Sequence, residues 1–137
     1  MRWADQLIKL SNFELELLQA RLADVVERRI RAELKLAVLI AEGESETALA
    51  RQNPEVSWRL GAFNEGLKVR KAAAQRDIDL ALAEENGVRD AISEAFETLK
   101  KYEQVAENAK VVAAREAGRR ETAALDELGL RRAVAGR

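Results

Sequence analysis

The pentapeptide Arg51-Gln52-Asn53-Pro54-Glu55 decides the fold. Proline lacks a backbone donor and pushes the residue before it out of the helical region, so a helix arriving from upstream ends at or near Asn53. The same residues also read as a new start. Asn53 suits an N-cap, Pro54 suits the first helical position, and Glu55 suits the positive end of a helix dipole. Gly61 and Gly66 follow closely. Together these features predict a turn region over residues 51–66, with a short helix between two turns.

Upstream of this break, from Trp3 to about Ala50, only Gly43 interrupts helical spacing. A 3-4 rhythm runs through Ile8, Ser11, Leu15, Leu18, Leu22, Val25, Arg29, Ala32, Leu36 and Leu39, and only Ser11 and Arg29 are not apolar. Heptad spacing of this kind keeps one seam turned toward a partner helix. Phe13, Leu17, Val26, Ile30 and Ile40 widen the apolar stripe beyond a strict two-stranded seam, which implies a second contact surface. Downstream, a seam runs from Leu67 through Ala74, Ile78, Ala81, Val88, Ile92, Ala95, Leu99, Tyr102, Ala106 and Ala109, with Lys71 and Glu85 as polar misses. Residues 110–124 are rich in Ala and charge, and Leu125, Leu128 and Leu130 restore an apolar cluster.

The spacing therefore predicts an all-α chain folded as one antiparallel two-helix coiled-coil hairpin. The first helix spans about 3–50, the turn 51–66, and the second helix about 67–132, with its longer C-terminal part projecting. Helices of about 50 and 65 residues would be roughly 75 and 100 Å long, so neither can curl into a globule. The small seam residues of the second helix would admit the larger leucines of the first. Such a hairpin buries one stripe per helix, and its remaining apolar positions invite partners or a second copy of the chain.

Composition agrees. Of 137 residues, 47% are apolar, 34% charged and only 4% aromatic, with a single proline. Ala, Leu, Glu, Arg and Lys dominate, and all are good helix formers. Lys and Arg number 23 against 24 Asp and Glu, a net charge of -1 with both signs interleaved. That is the pattern of a solvated helical surface and not the concentrated basic face a nucleic-acid binder needs. The chain has no cysteine and no histidine. Disulfides, thiolate chemistry, ordinary zinc sites and histidine-based catalysis are thereby excluded. Gly61 and Gly66 have the outer spacing of a phosphate loop, but Leu67 stands where its lysine belongs. No catalytic residue, metal or cofactor is expected. The N-terminus is not followed by an apolar run of signal-peptide length, and no stretch approaches the roughly 20 apolar residues that span a bilayer, so a cytosolic chain is expected.

Arg28, Arg29 and Arg31 form a basic cluster whose simplest reading is helical pairing with Asp24, Glu33 and Glu27; docking to an acidic partner is the alternative. Glu84-Glu85 and Asp126-Glu127 read as solvated faces. Trp58 and Phe63 fall in the turn region, where they either plug the bend or anchor a partner. Trp3 is expected to pack near Tyr102 and close the open end.

Two stretches carry a family resemblance. The opening Trp3-Ala4-Asp5-Gln6-Leu7-Ile8-Lys9-Leu10-Ser11-Asn12-Phe13-Glu14 resembles that of the flagellar export protein FliJ family in its alphaproteobacterial form. So do Lys100-Lys101-Tyr102-Glu103, Glu116, Arg119-Arg120-Glu121 and the terminal Leu125-Asp126-Glu127. The resemblance implies a non-catalytic, stalk-like adaptor of the type III export apparatus, cytoplasmic and peripheral to the inner membrane at the flagellar base. Its implied partners are the export ATPase and its regulator, the membrane export-gate protein and export chaperones. By that analogy the end carrying Leu125, Asp126 and Glu127 would enter the ATPase ring, and the hairpin body toward the tip would meet the gate. The rival readings are a structural coiled coil that self-assembles and the corresponding stalk of a needle-type secretion system.

Overall fold

A computed structural model describes residues 2–136. Helix α1 spans Arg2–Gln52, a 3-10 helix spans Pro54–Arg59, and helix α2 spans Leu60–Ala135. There is no strand among the described residues. The chain is all-helical, as expected, and its second long helix is the longer, with 76 residues against 51.

The break falls where the proline placed it, but it is tighter than the 51–66 expected. The Asn53 N–H donates to the Leu49 carbonyl at 2.9 Å, closing the last turn of α1, and the Val56 N–H donates to the Asn53 carbonyl at 3.1 Å. Asn53 adopts φ -129°, the extended backbone that a following proline demands, and its side chain makes no capping bond. The Ser57 hydroxyl instead donates to the Pro54 carbonyl at 2.8 Å. Leu60 is already helical at φ -62°, ψ -38°, so Gly61 and Gly66 lie inside α2. Each glycine costs about 1 kcal/mol there relative to alanine. Phe63 and Leu67 offset that cost by packing with Leu36, Leu39 and Ala74.

The described residues divide into two compact units. Glu16–Ser93 is a helical hairpin. Its seam residues Leu18, Leu22, Val25, Arg29, Ala32, Leu36 and Leu39 are all buried or half-buried, as are Leu67, Ala74, Ile78, Ala81, Val88 and Ile92 opposite. Val25 is fully buried. The helices run antiparallel: Arg28 and Arg29 of α1 meet Glu84 and Glu85 of α2, and Gly43, further along α1, meets Leu67, earlier in α2. Gly43 is not a defect. A Cβ built on it would lie 2.6 Å from Leu67 Cδ2, so the glycine is the recess that admits the leucine.

The second unit combines Met1–Leu15 with Glu94–Arg137. Ala4, Ser11, Leu15 and Leu99 are buried in it, and Ile8, Ala95, Tyr102, Ala106 and Ala109 are half-buried, so the 3-4 spacing holds here too. Trp3, expected to pack near Tyr102, is left 52% exposed. From residue 110 to 136 every position is exposed.

Candidate partner-binding surfaces

The hairpin unit carries an open groove of about 840 Å³ along one side. Leu34, Val38 and Leu80 line it and remain 63%, 49% and 65% exposed. Arg28, Arg31, Lys35 and Arg70 contribute positive charge, and Glu42, Asp77 and Glu84 negative. A strip of exposed aliphatic carbon flanked by both signs of charge suits an amphipathic helix better than a small polar substrate. Sequence reasoning missed this groove. Leu34 and Val38 follow Ile30 at successive four-residue steps, on a line beside the seam, and that off-seam spacing was the available signal.

Next to the groove lies a polar layer within the seam. Arg29 Nε donates to Glu85 at 2.8 Å, and Arg29 Nη1 donates to Glu33 at 3.0 Å. Glu85, with only 7% of its side chain exposed, also accepts from Arg89 at 3.0 Å. The bond from Arg89, with that from Arg29, holds the Glu85 carboxyl below its ordinary value, against the opposing effect of burial. The bonds to Glu33 and Glu85 raise Arg29 in turn. Arg28 donates to Glu84 at 2.9 Å, and Arg21 approaches Glu84 at 3.5 Å.

These contacts correct two expectations. Glu84-Glu85 is not a solvated face, because both carboxylates bridge to α1 and Glu85 is buried. Arg28 pairs across the hairpin and not with Asp24, whereas Arg31–Glu27 and Arg29–Glu33 form along the helix as read. The missed signal was symmetry: Arg29 and Glu85 each stand twenty-eight residues from Ser57, at the turn. Two seam defects equidistant from a bend face each other when the chain folds back.

The two aromatics singled out at the tip separate. Phe63 packs on the cluster of Leu39, Leu67 and Ala74, with the Arg70 guanidinium 5.9 Å from its ring centre. Trp58, on the 3-10 helix, is 78% exposed and offers a bare aromatic surface. Leu125, Asp126 and Glu127 lie on the exposed stretch of α2 in the other unit. Leu125 is 69% exposed, and Glu127 accepts from Arg131 at 3.0 Å one turn on. Leu130 and Val134 form a further apolar patch beside that pair. No cluster of metal-ligating side chains occurs among the described residues, and no helix of the structure is long and apolar enough to cross a membrane.

Long helices packed in two units, each with uncovered apolar surface, define a class: a helical scaffold that presents faces to other macromolecules. The chain is 47% identical over 135 residues to the flagellar FliJ protein of Caulobacter vibrioides strain NA1000 / CB15N, covering 98% of its own length and 97% of that relative's. The flagellar FliJ protein of strain ATCC 19089 / CIP 103742 / CB 15 matches by the same measures. The chain belongs to the flagellar FliJ family. No family model matches it, and no solved structure does.

Proposed function

We propose that this chain is a non-catalytic, stalk-like adaptor of the flagellar type III export apparatus. It acts in the cytoplasm, peripheral to the inner membrane at the flagellar base, and couples the export ATPase to the export gate. Its partners are the ATPase and its regulator, the gate protein and export chaperones. The observation that carries this reading is the stretch from residue 110 to 136, helical to Ala135 and exposed at every position. An all-exposed helix bearing Leu125, Leu128, Leu130 and Val134 gains little from folding alone and much from insertion into a partner. Leu125, Asp126 and Glu127 are the contacts to the ATPase ring in this reading. Trp58, Phe63 and the Leu34–Val38–Leu80 groove form the surface toward the gate.

The test is a pull-down with the flagellar ATPase, paired with a motility assay. Binding at or below about 10 μM, a generous threshold for a specific complex, is expected, with loss on Leu125→Ala or Asp126→Ala. Absence of binding at that concentration, together with full motility of both variants, overturns the reading. A second reading is self-assembly of hairpins through the same groove, favoured by the exposed Leu34, Val38 and Leu80. Light scattering distinguishes it: a stable oligomer that buries the groove leaves that surface closed to other proteins.

A further inference from the structure

Apart from the Gly43 recess that admits Leu67, the apolar seam does not select one alignment of the hairpin. Within Glu16–Ser93 both helices repeat aliphatic residues at heptad spacing, so sliding α2 by seven residues along α1 again matches aliphatic with aliphatic. The turn resists such a slip weakly, because closure entropy grows slowly with loop length. The polar layer does not. In the observed alignment Arg29 meets Glu85 at 2.8 Å, and Glu33 and Arg89 complete their hydrogen bonding. A slip of seven residues in one direction sets Arg29 against Ile92 and Glu85 against Leu36; the other direction sets Arg29 against Ile78 and Glu85 against Leu22. Either slip breaks the Arg29–Glu85 bond and turns both groups toward aliphatic carbon, leaving Arg29 only Glu33 and Glu85 only Arg89 on its own helix, and losing the partner of a buried charge is costly. Parallel pairing of two copies in register would set Arg29 against Arg29 and Glu85 against Glu85, which like-charge repulsion opposes.

We infer that Arg29 and Glu85 form an alignment lock, which selects the antiparallel register of this hairpin against slipped and parallel pairings. The lock acts by penalising the wrong states more than by stabilising the right one. Replacing both charges by leucine therefore need not weaken the fold, yet it weakens the choice among registers.

The chain has no cysteine, so Lys35→Cys and Asp77→Cys, on opposite walls of the groove, accept nitroxide labels cleanly. Pulsed electron-electron resonance on this pair reads the alignment, since a slip of seven residues displaces one label along the axis by about 10 Å. The unsubstituted seam gives one narrow distance at a single mass in sedimentation. The Arg29→Leu/Glu85→Leu variant, at an undiminished melting temperature, is expected to add a second distance, a heavier species, or both. An unchanged single distance and unchanged mass in that variant overturn the proposal. A further variant keeps the test open if the leucine pair does not fold. Arg29→Glu/Glu33→Arg/Glu85→Arg/Arg89→Glu inverts every charge while preserving every pair, and is expected to retain the narrow distance. Arg29→Glu alone, which faces Glu85, is expected to lose it. Broadening in the fully inverted variant contradicts a lock based on complementary charge.

Discussion

Substituting Gly43 tests the packing of the hairpin at atomic scale. Glycine to alanine inside a helix ordinarily stabilises by about 1 kcal/mol, because alanine sacrifices less backbone freedom on folding. Here the added Cβ would lie 2.6 Å from Leu67 Cδ2, whereas carbons in contact sit about 3.5–4.0 Å apart. Leu67 is only 4% exposed and is packed with Leu39 and Ala74, so it cannot swing aside into solvent. Overpacking of this kind costs about 1–3 kcal/mol, so Gly43→Ala should range from neutral to about 2 kcal/mol destabilising. Leu67→Ala, which opens a cavity, should cost about 2–5 kcal/mol. Combined, the two should not add. With the leucine methyls gone, Gly43→Ala recovers its propensity gain, and the coupling between the sites should be about 1–3 kcal/mol. Urea unfolding followed by far-ultraviolet circular dichroism measures all four corners of the cycle. Additive effects, with Gly43→Ala as stabilising as alanine at an open glycine, would refute the close approach of α1 and α2 at this point.

Gly87→Ala and Gly118→Ala, where a Cβ meets nothing within 4 Å, should each raise stability by up to about 1 kcal/mol, read as a higher urea midpoint. Glu85 titrates below its ordinary range when folded, so its contribution is complete above about pH 4.3 and is lost as pH falls through the lowered folded value. Thermal melts from pH 6 to pH 3 should therefore show a shallower acid loss in Glu85→Gln than in the unsubstituted chain, and equal slopes would contradict the pairing with Arg89 and Arg29. Trp58→Ala, at an exposed site, should change stability by less than about 0.5 kcal/mol, whereas Phe63→Ala should cost roughly 1–3 kcal/mol, less than a fully buried ring. Equal losses at the two aromatics would show that Trp58 is packed.

Much of this architecture is legible in the sequence for a simple physical reason. A heptad seam and a proline are local signals, and each says the same thing whatever surrounds it. Leu22, Val25, Leu36 and Leu39 could be placed on a buried line, and Asn53-Pro54 at its end, without knowledge of the partner helix. What local reading misses is what depends on two distant segments at once. Gly43 looks like a weak point until Leu67 is set against it. Arg29 and Glu85 look like two faults until the fold makes them a pair. Gly61 and Gly66 suggest a loose turn because propensity argues for one, but the packing of Phe63 and Leu67 on α1 carries the helix through them. Among the candidate binding residues, Trp58 and Leu125-Asp126-Glu127 are exposed, while Phe63 is half-buried and also packs on the core of the tip. The Leu34–Val38–Leu80 groove needs both helices to exist, so the spacing on the first helix carried only half of its signal.

Disulfide trapping in this cysteine-free chain tests the antiparallel hairpin most directly. Ala32 and Ala81 face the same groove from opposite helices, and mild oxidation of Ala32→Cys/Ala81→Cys should give a cross-link within one chain at monomer mass. The control pair Ala32→Cys/Ala74→Cys lies one heptad, about 10 Å, out of alignment and should stay reduced. A cross-link in the control pair, or only dimers from the first, would mean that the two helices do not close on each other in the alignment described.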